Sequence, residues 1–265
     1  MKPQIIKIDD STYQLVENIG ALVTNSHLII GAEKALMIDA GMGLTDLREA
    51  ARTLTDKQAD LVCTHGHYDH MGSACRFDSV YMSHQDLAVA QEHFSQSFLS
   101  RMSEMLQAEF GEQFTAAARE ATLGLKMPQV ISPLPLDQSF HLGGRRIDMI
   151  MTPGHTPGSI CLLDADRGYL FSNDTVCSRG VLLNLPYSCD VATFASSLRK
   201  LNVYRDKMQT LFPGHHNHQI DPGYIDKYQA CAQGIAEGSL TVVSGESFGE
   251  PSYMAVYADI AIAYR

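Results

Sequence analysis

The stretch Cys63-Thr64-His65-Gly66-His67-Tyr68-Asp69-His70-Met71-Gly72 governs how the rest of this chain is read. It gathers three imidazoles and one carboxylate into the six positions from His65 to His70. Both groups are ligands for zinc, iron or manganese, and no packing requirement calls for so many of them in so short a span. His65 and His67 lie two residues apart, so at the end of an extended strand they face the same side. Asp69 and His70 follow the chain round a turn and can serve a neighbouring ion. The competing reading is a solvated polar loop, and later segments count against it.

Three further loops add ligands. Thr152-Pro153-Gly154-His155-Thr156-Pro157-Gly158-Ser159 places His155 after a strand, with Pro and Gly fixing the backbone around it. Ser172-Asn173-Asp174-Thr175 puts Asp174 just beyond an apolar strand at 169–171, and Pro213-Gly214-His215-His216 puts His215 after another. A lone histidine after Pro-Gly says little; two such loops and an acid, all at strand ends, reinforce one another.

The elements around these loops alternate. Short strands are expected at 5–8 and 13–16, joined by the turn-forming Asp9-Asp10-Ser11, then at 21–23 and 28–30 with Asn25-Ser26 between them, and at 35–39. Thr45 is expected to cap a helix to about Leu54, and 61–64 reads as a buried strand with the metal run at its C-terminal end. Ser83-His84-Gln85-Asp86 resembles a capping box opening a long helical stretch, with Phe114 to Leu123 as a second helix. Residues 84–127 have no strand signal and read as a helical insertion; its Phe/Met stripe is expected to be packed core, with a lid over the site as the sharper alternative. Strands return at 140–142, 146–151, 160–163 and 169–171. Helices open at Asp190 and at Asp221-Pro222, and Tyr253 to Tyr264 alternates like a terminal strand. Without a low-complexity linker, residues 1–265 are taken as one domain containing the insertion.

Composition limits the partners. A formal net charge of −10, with no basic run longer than Arg145-Arg146, argues against a nucleic-acid substrate. Residues 1–25 lack the apolar run of a signal peptide, and no later stretch approaches a membrane span. Six scattered cysteines without a C-x-x-C pair suit reduced thiols, so a cytoplasmic location is expected. The expected partner is a small-molecule substrate, with a homodimer left open.

His65-x-His67-x-Asp69-His70, the Thr-Pro-Gly-His155-Thr-Pro-Gly loop, Asp174 and Pro-Gly-His215 together resemble the metallo-β-lactamase-fold hydrolase superfamily, in order over residues 20–220. Asp39, ahead of Gly41, also stands where that family commonly has an acidic residue closing a strand. Asn173 stands where its members usually carry glycine. The resemblance implies an α/β fold, a four-layer αβ/βα sandwich. It also implies a ligand set: His65, His67 and His155 for one metal, Asp69, His70 and His215 for a second, and Asp174 bridging both. The implied cofactors are two divalent metal ions, zinc first, with iron or manganese as alternatives.

Two dications roughly 3.5–4 Å apart can share a hydroxide, each lowering the pKa of bound water from about 15.7 toward 7. The expected function is therefore dinuclear-metal hydrolysis of a small carbonyl substrate, a lactone, thioester or related ester. Asp69 both ligates and orients the nucleophile. An iron-dependent oxidation of the persulfide-dioxygenase kind, or phosphodiester hydrolysis, is the alternative. His27, His84, His93 and His141 are read as structural or exposed, His216 and His218 as loop residues, and Cys63 as strand packing. Tyr68, Arg179 and Tyr187 lie near ligand segments and are weaker candidates for substrate contact.

Overall fold

Asp9 makes the first turn: its Oδ1 accepts the Ser11 backbone N–H (2.8 Å) and hydroxyl (3.3 Å), which folds β1 (Gln4–Asp9) back on β2 (Thr12–Ile19). The computed structural model describes residues 2–247 and 249–265, and the chain divides into two units, one up to Arg146 and one from Ile147 to Arg265.

In the first unit a six-stranded sheet runs in sequence order. It comprises β1, β2, β3 (Leu22–Ile30), β4 (Ala35–Ile38), β5 (Ala59–Val62) and β6 (Val80–Tyr81). Pairing is antiparallel through β4 and parallel from β4 to β6. The central strands β4 and β5 are almost entirely buried, and this explains the unbroken apolar run of β4. Helix α1 (Leu47–Arg52) covers the sheet with Leu47, Ala50 and Ala51. The single turn α2 (Tyr68–Met71) follows β5. Next come α3 (Leu87–His93), α4 (Gln96–Phe110) and α5 (Ala116–Leu123), and β7 (Ser139–His141) closes the unit.

The second unit pairs β8 (Arg146–Met151), β9 (Ile160–Asp164), β10 (Tyr169–Asn173) and β12 (Thr210–Pro213) in the order β12-β10-β9-β8. A second sheet has the order β11 (Gly180–Leu183), β15 (Ile260–Tyr264), β14 (Glu250–Tyr257), β13 (Val242–Ser247). Helices α6 (Val191–Asn202) and α7 (Gly223–Glu237) pack on each other, and α7 lies on β14 and β15. Phe194, Leu198, Leu201, Ile225 and Tyr228 join the sheet residues in one core. Among the described residues no helix is long and apolar enough to cross a membrane.

Several expectations are corrected. The segments expected at 21–23 and 28–30 are one strand: Asn25 and Ser26 sit fully buried within β3, opposite Val16 and Leu15 of β2. Thr45 does not cap α1. Its N–H and hydroxyl both donate to the buried Glu17 carboxylate (2.6 Å each), and Asp46 takes the cap by accepting from Glu49 N–H. The tail from Tyr253 to Tyr264 is a hairpin of β14 and β15, turned at Ala258 with φ 52°. The stripe of the 84–127 segment is core, as expected: Phe98, Leu99 and Met102 pack around the ring of Tyr68.

Candidate metal centre

In the first unit, β5 delivers the 65–70 run of candidate ligands and Asp39 organises it. Asp39 is fully buried at the end of β4 in a left-handed conformation (φ 58°). Its Oδ1 accepts the Thr64 N–H at 2.7 Å, and its Oδ2 accepts both the Thr64 hydroxyl (2.8 Å) and His70 Nδ1–H (2.7 Å). The Thr64 hydroxyl proton is thereby committed to Asp39, so at 3.2 Å its oxygen accepts from His65 Nδ1–H. Both imidazoles thus donate through Nδ1 and turn Nε2 away from Asp39 and Thr64. A carboxylate or hydroxyl behind a ligating histidine commonly fixes its tautomer and ring plane in this way.

The ring of His65 lies 4.6 Å from that of His67 and 4.2 Å from that of His70. His67 is the extended residue before α2, which turns the chain so that Asp69 and His70 follow on a helical turn. Asp69 Oδ2 lies 3.8 Å from His70 Nε2, and its side chain is 17% exposed while that of His70 is sealed. The loop fits closely on its surroundings. A Cβ on Gly66 would lie 2.8 Å from Asp86 O and 3.0 Å from Ala90 N; one on Gly72 would lie 2.2 Å from Gly43 N. Glycine is required at both by close approach of backbone.

In the second unit the topology itself brings two candidate ligands together. Strands β10 and β12 are parallel neighbours, so Asp174 and His215 emerge side by side at their C-terminal ends. Asn173 adopts φ 44°, a conformation glycine takes freely and asparagine tolerates better than most residues. Asp174 Oδ2 lies 3.4 Å from His155 Nε2 and 3.3 Å from His215 Nε2. His155 donates Nδ1–H to Leu182 O at 2.8 Å, which again turns Nε2 toward carboxylate oxygen. Imidazole nitrogen and carboxylate oxygen converging in this way is a donor set that suits a divalent ion, in each unit.

The remaining candidates separate on burial and partners. Cys63 is fully buried; burial, and then the Asp39 charge, push its thiol far above the usual range, and it stays a protonated packing residue. Burial, with Asp174 nearby, does the same to Cys177. All six cysteines are free. His141 pairs with Asp137 at 2.9 Å on the surface, and His84 Nε2 lies 3.3 Å from Ile131 O. His27 is buried in β3 and His218 is exposed. Tyr68 is buried in the apolar cluster, where burial raises its hydroxyl pKa. Residue-by-residue reading missed three contributors: Thr64, Asp86, whose Oδ2 accepts the Gly66 N–H at 2.9 Å, and His93, stacked on His67. A Ser-x-x-Asp pattern at 83–86 was the one available signal for Asp86, and it pointed to a helix cap.

A family model described as the metallo-beta-lactamase superfamily matches residues 19–235, and the chain belongs to that superfamily, as a metal-dependent hydrolase. It is 32% identical over 235 residues to the acyl-coenzyme A thioesterase MBLAC2 of Bos taurus, covering 78% of this chain and 80% of that protein. It is 24% identical over 183 residues to the probable polyketide biosynthesis zinc-dependent hydrolase BaeB of Bacillus velezensis, covering 69% of this chain and 68% of that protein. Among solved structures, the metallo-beta-lactamase from Pontibacter korlensis superposes with a TM-score of 0.63 at 17% identity, covering 88% of this chain and 99% of that one. That likeness establishes the α/β sandwich fold.

Proposed function

We propose that this chain hydrolyses acyl thioesters, of the acyl-coenzyme A kind, at a centre of two divalent metal ions. His65, His67 and His155 would hold one ion and Asp69, His70 and His215 the other, with Asp174 shared; zinc is the first choice. When bound, the ions supply Lewis acidity toward water and toward the substrate carbonyl.

The observation that supports the metal centre is how the imidazoles are anchored. His65, His70 and His155 are tied back through Nδ1 to Thr64, Asp39 and Leu182 O, so each would offer Nε2 to a metal. Asp69, less enclosed than the histidine beside it, would orient the attacking water. The leaving group makes no demand for a general acid: a thiol of ordinary pKa, about 8.5, departs as a thiolate near neutral pH. Similarity to a thioesterase across four fifths of that protein directs the choice among esters to thioesters. The net negative charge adds to the case against polyanionic polymers as substrates.

The test is thiol release from acyl-coenzyme A esters of graded chain length by protein of measured metal content, beside a lactone, a phosphodiester and a β-lactam. Thioester turnover that disappears in Asp174→Ala supports the proposal. Metal-loaded protein that leaves the whole thioester series intact refutes it.

A further inference from the structure

We propose that His93, at the end of α3, is a positioning residue for the metal ligand His67, and that the start of the 84–127 segment is a fixed support for the ligand loop. The proposal rests on the reading of His67 as a ligand. It assigns a role to a residue outside the ligand run.

Three contacts join this segment to the loop. The imidazoles of His93 and His67 lie face to face, with centroids 4.3 Å apart and planes 6° from parallel. The Tyr68 N–H donates to His93 Nδ1 at 3.3 Å, tying the same ring to the residue after the ligand. The buried Asp86 carboxylate accepts the Gly66 N–H at 2.9 Å, and Gly66 lies too close to α3 for any side chain. Loop residues 66, 67 and 68 are thus each held from α3 or its approach.

His93 is itself held. Phe98 of α4 stacks on it at 4.0 Å and 27°, and the Arg101 guanidinium lies 5.1 Å from the Phe98 centroid. The break between the helices makes this possible: Ser95 caps α4 by accepting the Phe98 N–H, and the chain folds Phe98 back onto His93. Leu99 and Met102 then fix α4 against Tyr68.

A ligating imidazole gains from this arrangement in two ways. A parallel partner removes the freedom of His67 to rotate its ring out of the coordinating plane, and so lowers the ordering cost of metal binding. It also places a π-face against a ring that becomes more electropositive when metal is bound. Partners behind a ligand typically contribute about 10–100-fold in metal affinity.

The experiment is zinc titration of the metal-free protein against a chromophoric chelator, with circular dichroism confirming the fold of each variant. His67→Ala serves as the reference, and His93→Ala and His93→Phe are compared. Phe keeps the stack but, like Ala, removes the acceptor for Tyr68 N–H. We expect His93→Ala to bind the tighter zinc roughly tenfold more weakly and His93→Phe to recover to within about threefold of wild type. His93→Ala binding zinc as wild type does, while His67→Ala loses it, overturns the positioning role alone. His93→Phe as weak as His93→Ala overturns stacking as its basis. Unchanged binding in His67→Ala overturns both this inference and the ligand assignment.

Discussion

Asp39→Asn separates the carboxylate that organises the 64–70 loop from the backbone that carries it. Asparagine tolerates the φ of 58° at this position, so the substitution adds little backbone strain. The native carboxylate accepts three hydrogen bonds in a fully buried site: Thr64 N–H at 2.7 Å, Thr64 Oγ1–H at 2.8 Å and His70 Nδ1–H at 2.7 Å. An amide has one oxygen. Its better orientation keeps the Thr64 hydroxyl and His70 and turns the NH2 toward the Thr64 N–H, donor against donor. One bond is lost, two buried donors are unpaired, and the His70 bond is no longer charge-assisted. At about 1–3 kcal/mol for a buried polar group left unsatisfied, and part of that again for the weakened bond, the cost is about 2–4 kcal/mol. The second effect is functional: with a neutral partner His70 is less basic, and metal affinity should fall about 10–100-fold. Urea denaturation of the metal-free protein measures the first effect and a zinc titration the second. A stability change under about 0.5 kcal/mol with unaltered zinc affinity would refute the account of Asp39, since ordinary surface substitutions do as little.

Gly66→Ala should destabilise by about 1–3 kcal/mol and weaken metal binding, because its Cβ meets the backbone of Asp86 and Ala90; a thermal melt and a metal titration read both. Asp190 caps α6 through Thr193 N–H at 2.8 Å, and the Thr193 hydrogen bonds hold its carboxyl below the usual value of 3.8. A depressed folded-state pKa contributes stability above 3.8 that is lost as pH falls through the folded value. Asp190→Ala should therefore cost about 1 kcal/mol at pH 7 and progressively less below pH 3.8, whereas Asp190→Asn keeps most of the cap; denaturant midpoints across pH follow this. Chelation should abolish turnover with zinc restoring it, and an oxygen electrode should record no consumption during turnover; oxygen uptake would favour the iron-dependent dioxygenase alternative.

What the sequence disclosed and what it hid divide along physical lines. The ligand run, the Pro/Gly-flanked histidines and the Asp9-Asp10-Ser11 turn are local signals, each carried by adjacent residues. Asn25-Ser26 resembled a turn because polar pairs usually mark one; its burial comes from pairing with Val16 and Leu15. β11 was missed because Gly180–Leu183 is a strand only against β15, about eighty residues later. Thr45 looked like a cap until Glu17, 28 residues earlier, claimed it. His93 had no spacing signature, since its place over His67 depends on the break between α3 and α4. The candidate ligands were legible because ligand chemistry restricts residue type. The groups that orient them were not, because any suitably placed acid, hydroxyl or ring can do that work.

The most direct test counts metal ions by native mass spectrometry on the zinc-loaded protein and on Asp174→Ala. The account predicts two zinc ions per folded chain, at least one of them lost in the variant together with thioesterase activity. A fully active wild-type chain carrying no metal, or a variant that keeps both ions and full turnover, would contradict it.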